Sequence, residues 1–166
     1  MKKLLSILPI LLCMCACSQK YIVYDNPYAY IKWAADAAAA ESSSIISLSA
    51  TERSYSIILS SKRPTEPITV YYEIEVGDGL EEGVDFEILS PERSVVFTPV
   101  KDGPATIEDF TRNVNIKFLR HKVDKTKDNT ITIRLIGSDP PVHLGLPGNK
   151  EGEPAKNSFH TIQKKN

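Results

Sequence analysis

The sequence predicts an all-β fold, an antiparallel sandwich of seven to nine short strands. Three observations predict it. Several segments alternate strictly between apolar and polar residues, turn-forming clusters separate those segments, and no helical pattern lies between them to carry the crossovers of a parallel sheet.

The clearest strand is PITVYYEIEV (67–76), with Ile68, Val70, Tyr72, Ile74 and Val76 on one face and Thr69, Tyr71, Glu73 and Glu75 on the other. SYSIILSS turns Tyr55, Ile57 and Leu59 inward in the same way. NVNIKFL does so with Val114, Ile116 and Phe118, and NTITIRLIG with Ile131, Ile133 and Leu135. YAYIKW, SIISLS, VDFEIL, SVVFTP and SFHTIQ are shorter candidates. SKRPTEP, GDGLEEG and SPER supply turns between them, and KDGPATIEDFT a longer loop. The alanine-rich residues 34–44 favour helix but are too few to hold one alone, so they read as a helical turn or mobile loop. From residue 138, a Pro- and Gly-rich surface loop leads to SFHTIQ as a final strand.

The N-terminus has a different character. Lys2 and Lys3 precede LLSILPILLCMC, an apolar run well short of the roughly 20 residues that cross a bilayer as a helix. A charged start, an apolar core and small residues at its end describe a secretory signal peptide. All three cysteines, Cys13, Cys15 and Cys17, lie here. Zinc ligands normally spread over a folded module, and a disulfide between cysteines two apart is badly strained. The segment Met14-Cys15-Ala16-Cys17 resembles a bacterial lipobox, which implies cleavage after Ala16 and lipidation of Cys17. The organisation that follows is signal peptide 1–16, lipidated tether 17–27 and β-domain 28–166, outside the cytoplasm on the outer membrane, periplasmic or surface-facing.

Charge says little about partners. The chain holds 20 basic and 21 acidic residues; without Lys2 and Lys3 the balance is 18 to 21, a net −3. That is no footprint for nucleic acid.

ITVYYEIEVGDGLEEGVDFEIL, then SVVFTP and NVNIKFL, is similar to the Calx-beta family of immunoglobulin-like sandwiches. The similarity lies in the acidic, glycine-bearing turn, the Gly83-Val84-Asp85-Phe86 step and the short strand ending at Phe97, and covers about residues 57–137. With the lipobox, the chain also resembles lipoproteins of Bacteroidetes, some encoded beside glycan-uptake machinery. The resemblance implies an immunoglobulin-like fold. The family's calcium binding is not expected to carry over: where metal-binding members place an acidic cluster, RHKVDKTKD surrounds Asp124 and Asp128 with Arg120, Lys122, Lys125 and Lys127. Asp78, Glu81, Glu82 and Asp85 read as a solvated turn. No metal or cofactor is expected.

Catalysis finds no support either. There is no Gly-x-Ser-x-Gly elbow, Cys17 is taken by lipid, and His121, His143 and His160 read as separate exposed or loop histidines. Binding remains. Sugars are held by aromatic faces with polar neighbours, and YIVYDNPYAYIKW gathers four tyrosines and the only tryptophan. Tyr24, Tyr28, Tyr30 and Trp33 are one candidate platform, and Tyr71, on the polar face of its strand, is another. The competing reading has Trp33 and Ile31 anchoring the first strand in the core with the tyrosines on its rim. The expected function is thus a non-catalytic, membrane-anchored module presenting its β-domain to a glycan or an envelope protein, with a purely structural envelope lipoprotein or a calcium module as the alternatives.

Overall fold

The computed structural model describes residues 27–33, 40–46, 50–61, 64–99, 103–146 and 155–166, with the Trp33 side chain excepted. Cleavage and lipidation at Cys17, and Tyr24, lie outside the described residues.

The described chain is all-β apart from one 3₁₀ turn, Glu108–Phe110. Its strands are β1 (Tyr28–Trp33), β2 (Ser42–Ile46), β3 (Thr51–Ser60), β4 (Ile68–Val76), β5 (Phe86–Ile88), β6 (Ser94–Phe97), β7 (Thr111–Phe118), β8 (Thr130–Asp139), β9 (His143–Leu144) and β10 (Phe159–Lys165). They form two five-stranded sheets, ordered β5-β7-β3-β1-β9 and β2-β10-β8-β4-β6. Ten strands exceed the seven to nine expected; the two-residue β9 has no period-2 signal to betray it.

The alternation read from sequence sets which side chains the sheets share. Ala29, Ile31, Tyr55, Ile57, Leu59, Val114, Ile116 and Phe118 from the first sheet meet Ile68, Val70, Tyr72, Ile131, Ile133, Leu135 and Ile162 from the second in one core. Removing that apolar area from water is the main force holding the sheets together. Val76, expected inward, is 42% exposed because β4 ends there and the chain turns at Gly77. A bulge between Tyr71 and Tyr72 shifts the β4–β8 register, so Tyr71 lies opposite Gly137 and Tyr72 opposite Leu135, leaving Ile136 unpaired and 53% exposed.

Two pairings correct the expectation of a purely antiparallel fold. β2 runs parallel to β10, Ser42 opposite Thr161 through Ile46 opposite Lys165, and β9 runs parallel to β1. The first also corrects the reading of the end of the alanine-rich segment, whose residues 34–39 lie outside the described residues. Ser42–Ser44 are strand, because the open edge of β10 offers hydrogen bonds that outweigh a weak local preference for helix.

Candidate functional site

The aromatic candidates do not form one platform. On β1, Ala29 and Ile31 are fully buried, so alternation turns Tyr28 and Tyr30 to the outer face of the first sheet. Tyr71 alternates with buried Val70 and Tyr72 and stands 41% exposed on the outer face of the second sheet. The shared core separates the two faces. Trp33 ends β1 in register with Tyr55.

The first sheet's outer face is the richer. The Tyr28 ring stacks on the His143 imidazole with centroids 5.1 Å apart and planes at 27°. The short β9 makes this contact possible: His143 lies opposite Tyr28, its N–H donates to the Pro27 carbonyl at 3.0 Å, and the Gly145 N–H donates to the Ala29 carbonyl at 2.6 Å. Gly145, at φ +86°, turns the chain away where a side chain would meet the Lys156 carbonyl. Tyr30 is half-buried one rung along, opposite Ile58, and burial pushes its hydroxyl pKa up. Across β3 and β7 runs a row of hydroxyls and amides: Ser56 Oγ donates to Asn113 Oδ1 at 2.9 Å, and Ser54 Oγ to Asn115 Oδ1 at 2.7 Å. Each bond spends the carbonyl of the amide and leaves its NH₂ group to donate elsewhere. Lys117 and Glu87 close the row with an ion pair at 2.8 Å. The rings and the row lie apart along one face, Tyr28 opposite Ser60 and the row starting at Ser56, so the face suits an extended polyhydroxylated ligand that meets the rings at one end and the amide donors further on.

Asp85 corrects the sequence reading. Instead of lying in a solvated turn it is 3% exposed. Lys164, whose side chain is fully buried, donates from Nζ to Asp85 Oδ1 at 2.7 Å and to the Asp85 carbonyl at 3.1 Å. His121 Nδ1 meets the same Oδ1 at 3.0 Å, and the Glu81 N–H donates to Oδ2 at 3.1 Å. Burial by itself would raise the Asp85 carboxyl, but the bonds from Lys164, His121 and Glu81 outweigh it and hold the pKa below the ordinary value. The pair ties β10 of one sheet to the turn entering β5 of the other.

His160 is also corrected, being fully buried. Its Nδ1 donates to the Ala40 carbonyl at 2.9 Å, its Nε2 shares a hydrogen bond with the Ser43 hydroxyl 2.9 Å away, and its face tilts on Tyr55. The serine–histidine pair has the reach of a nucleophile and base, yet the imidazole has no solvent access, and its bonds join β10 to β2. His143 is exposed in β9, and the His121 side chain is about half-exposed at 53%.

The turn acidics are engaged locally. Asp124 Oδ1 accepts from the Thr126 N–H and hydroxyl, which holds its pKa below the usual range. Asp128 Oδ1 accepts the corresponding pair from Thr130, and Asp78 Oδ1 accepts the Asp128 N–H at 3.0 Å. Among the described residues no three histidine, cysteine or acidic side chains converge in a metal-binding arrangement.

Compared with known proteins, the chain matches no family model and no curated sequence.

Proposed function

We propose that this chain is a lipid-anchored, non-catalytic binding module that holds a glycan on the outer face of its first sheet. The observation that carries the reading is the Tyr28–His143 stack on the same sheet face as Tyr30 and the Ser54/Asn115 and Ser56/Asn113 row, which begins two residues beyond Tyr30 in the β1–β3 register. The anchor reading rests on the charged start, the apolar run and the lipobox-like step to Cys17. The two sheets around one core agree with an immunoglobulin-like, Calx-beta-like sandwich, and the Gly83-Val84-Asp85-Phe86 step is the sequence feature that supports that kinship. In this reading the domain stands on its tether outside the cytoplasm, and the tyrosine face captures polysaccharide for other envelope proteins.

The test is a thermal melt of the chain against a panel of polysaccharides. A ligand at a hundred times its dissociation constant adds about 2.7 kcal/mol of stability. For a chain of this size that raises Tm by roughly 5–10 °C. The expected result is a rise with at least one glycan that Tyr28→Ala removes. A rise that survives both Tyr28→Ala and Tyr30→Ala defeats the reading.

A further inference from the structure

At one seam between the sheets, two strand edges face each other with main-chain groups to spare. β5 pairs with β7 only from Phe86 to Ile88. The Leu89 N–H then donates to the Asn115 carbonyl at 2.9 Å, and Ser90 Oγ accepts the Asn115 N–H at 3.1 Å. There the chain leaves, crossing at Pro91 to the second sheet to become β6. In an antiparallel ladder, residues two apart point their main-chain groups the same way. Asn113 therefore turns its N–H and C=O toward the line that β5 has vacated, and no described residue takes them up.

Across the seam, the Tyr72 N–H bonds the Arg93 carbonyl at 3.0 Å, which sets the phase of β6. Ser94 and Val96 then point their main-chain groups away from β4 and toward the same space, the Val96 carbonyl there being taken by Arg112. A slot of about 390 Å³ lies between the two edges, with Tyr72 and Val95 among its walls. That volume falls in the range of ligand pockets.

The ends of the slot differ in charge. Glu92 lies at the Ser94 end. At the Val96 end, Arg112 reaches over from β7: Nε donates to the Val96 carbonyl at 2.8 Å, and Nη1 to the Glu108 and Thr111 carbonyls at 2.9 and 2.8 Å. The guanidinium sits over the Phe97 ring, 5.2 Å from its centroid. With a longer bond from Nη1 to the Asp109 carbonyl at 3.5 Å, five main-chain and aromatic contacts fix its plane, while Nη2 donates to no described residue.

We infer that this slot binds the extended C-terminal end of a polypeptide. The segment continues the line of β5 antiparallel to β7, exchanges hydrogen bonds with the Asn113 N–H and C=O, and brings its terminal carboxylate to Arg112 Nη2. The Asn113 N–H and C=O select a peptide, because an extended residue offers the matching acceptor and donor on one edge. The polarity follows from charge, since a carboxylate is favoured at Arg112 and opposed at Glu92. This site shares Asn113 with the tyrosine face but is entered from the sheet edge, and it does not depend on glycan binding.

The test is to pan a library of random hexapeptides with free C-termini on the full 166-residue chain. Recovered peptides are then measured by fluorescence polarisation as free acids and as C-terminal amides. The amide should bind about tenfold more weakly or worse, since it loses a charge-assisted bond to Arg112. Hydrogen exchange should show new protection at the Asn113 amide. Arg112→Gln should weaken the acid and leave the amide nearly unchanged. The inference is overturned if no peptide is enriched, if acids and amides bind alike, or if protection appears only on the tyrosine face. A saccharide that protects Asn113 in place of any peptide overturns it too.

Discussion

Lys164 Nζ lies 2.7 Å from Asp85 Oδ1, in a space where the lysine side chain has no solvent exposure and the aspartate 5%. The two residues are 79 apart in sequence, Lys164 on β10 of one sheet and Asp85 in the turn entering β5 of the other. A buried pair of this kind gives little net stability over an apolar substitute, but either partner left alone is an uncompensated charge.

Removing one partner should therefore cost far more than removing both. Asp85→Ala or Lys164→Met is expected to destabilise the fold by about 3–5 kcal/mol each. The double variant should recover a large part of that loss. Urea unfolding of the four chains measures the coupling, and additive losses would mean that the pair does not act as a unit.

Acid should expose the same pair. The folded Asp85 carboxyl titrates below the roughly 3.9 of an unfolded aspartate. As pH falls, the unfolded chain takes up its proton first, so this stabilisation is complete above that value and is lost as pH drops through the folded one. Unfolding free energy measured from pH 6 to 2 should fall more steeply for the native chain than for Asp85→Asn.

Alkali should act through Tyr55. Its ring is fully buried, and desolvation pushes the hydroxyl up to about 12. An unfolded tyrosine ionises near 10, so the unfolded chain releases its proton first. The contribution is intact below about pH 10 and declines toward pH 12. Tyr55→Phe should flatten that decline in melts across the range, and identical slopes would contradict the assignment.

Gly77 and Gly137 should respond differently to alanine. A methyl on Gly77 would overlap the Asp128 carbonyl and lie 2.6 Å from Asp128 Cγ, in the turn where the Gly77 N–H bonds Thr130. On Gly137 the nearest atom is Tyr71 Cδ2 at 3.9 Å, an ordinary contact. Gly77→Ala should cost about 2 kcal/mol, and Gly137→Ala within about 0.5 kcal/mol of nothing. Equal Tm values would contradict the close approach.

The strands were legible because one apolar core imposes a period of two, and Val70, Ile116 and Ile133 obey it. What escaped were positions where pairing or a distant partner decides. Ser42 is strand because β10 lies beside it. Lys164 continues the inward alternation of His160 and Ile162, so its place could have been read from FHTIQKK had polar residues been allowed inside. Its partner in the Gly83-Val84-Asp85-Phe86 step carries no such signal, because the acidic neighbours Glu81 and Glu82 make the segment look solvated. Tyr28, Tyr30 and Tyr71 alternate with the buried Ala29, Ile31, Val70 and Tyr72, so their direction is legible in the period of two. That they occupy opposite sheets follows from topology, which alternation cannot supply.

The measurement closest to the central claim is a titration of the chain and its Tyr28→Ala variant with the glycan that most raises Tm, followed by calorimetry. The account predicts saturable binding that the variant weakens at least tenfold, with the variant's Tm unchanged in the absence of glycan. Each such aromatic contact is worth about 1.4 kcal/mol at that ratio. Equal affinities for the two chains, or no heat with any polysaccharide, would contradict it.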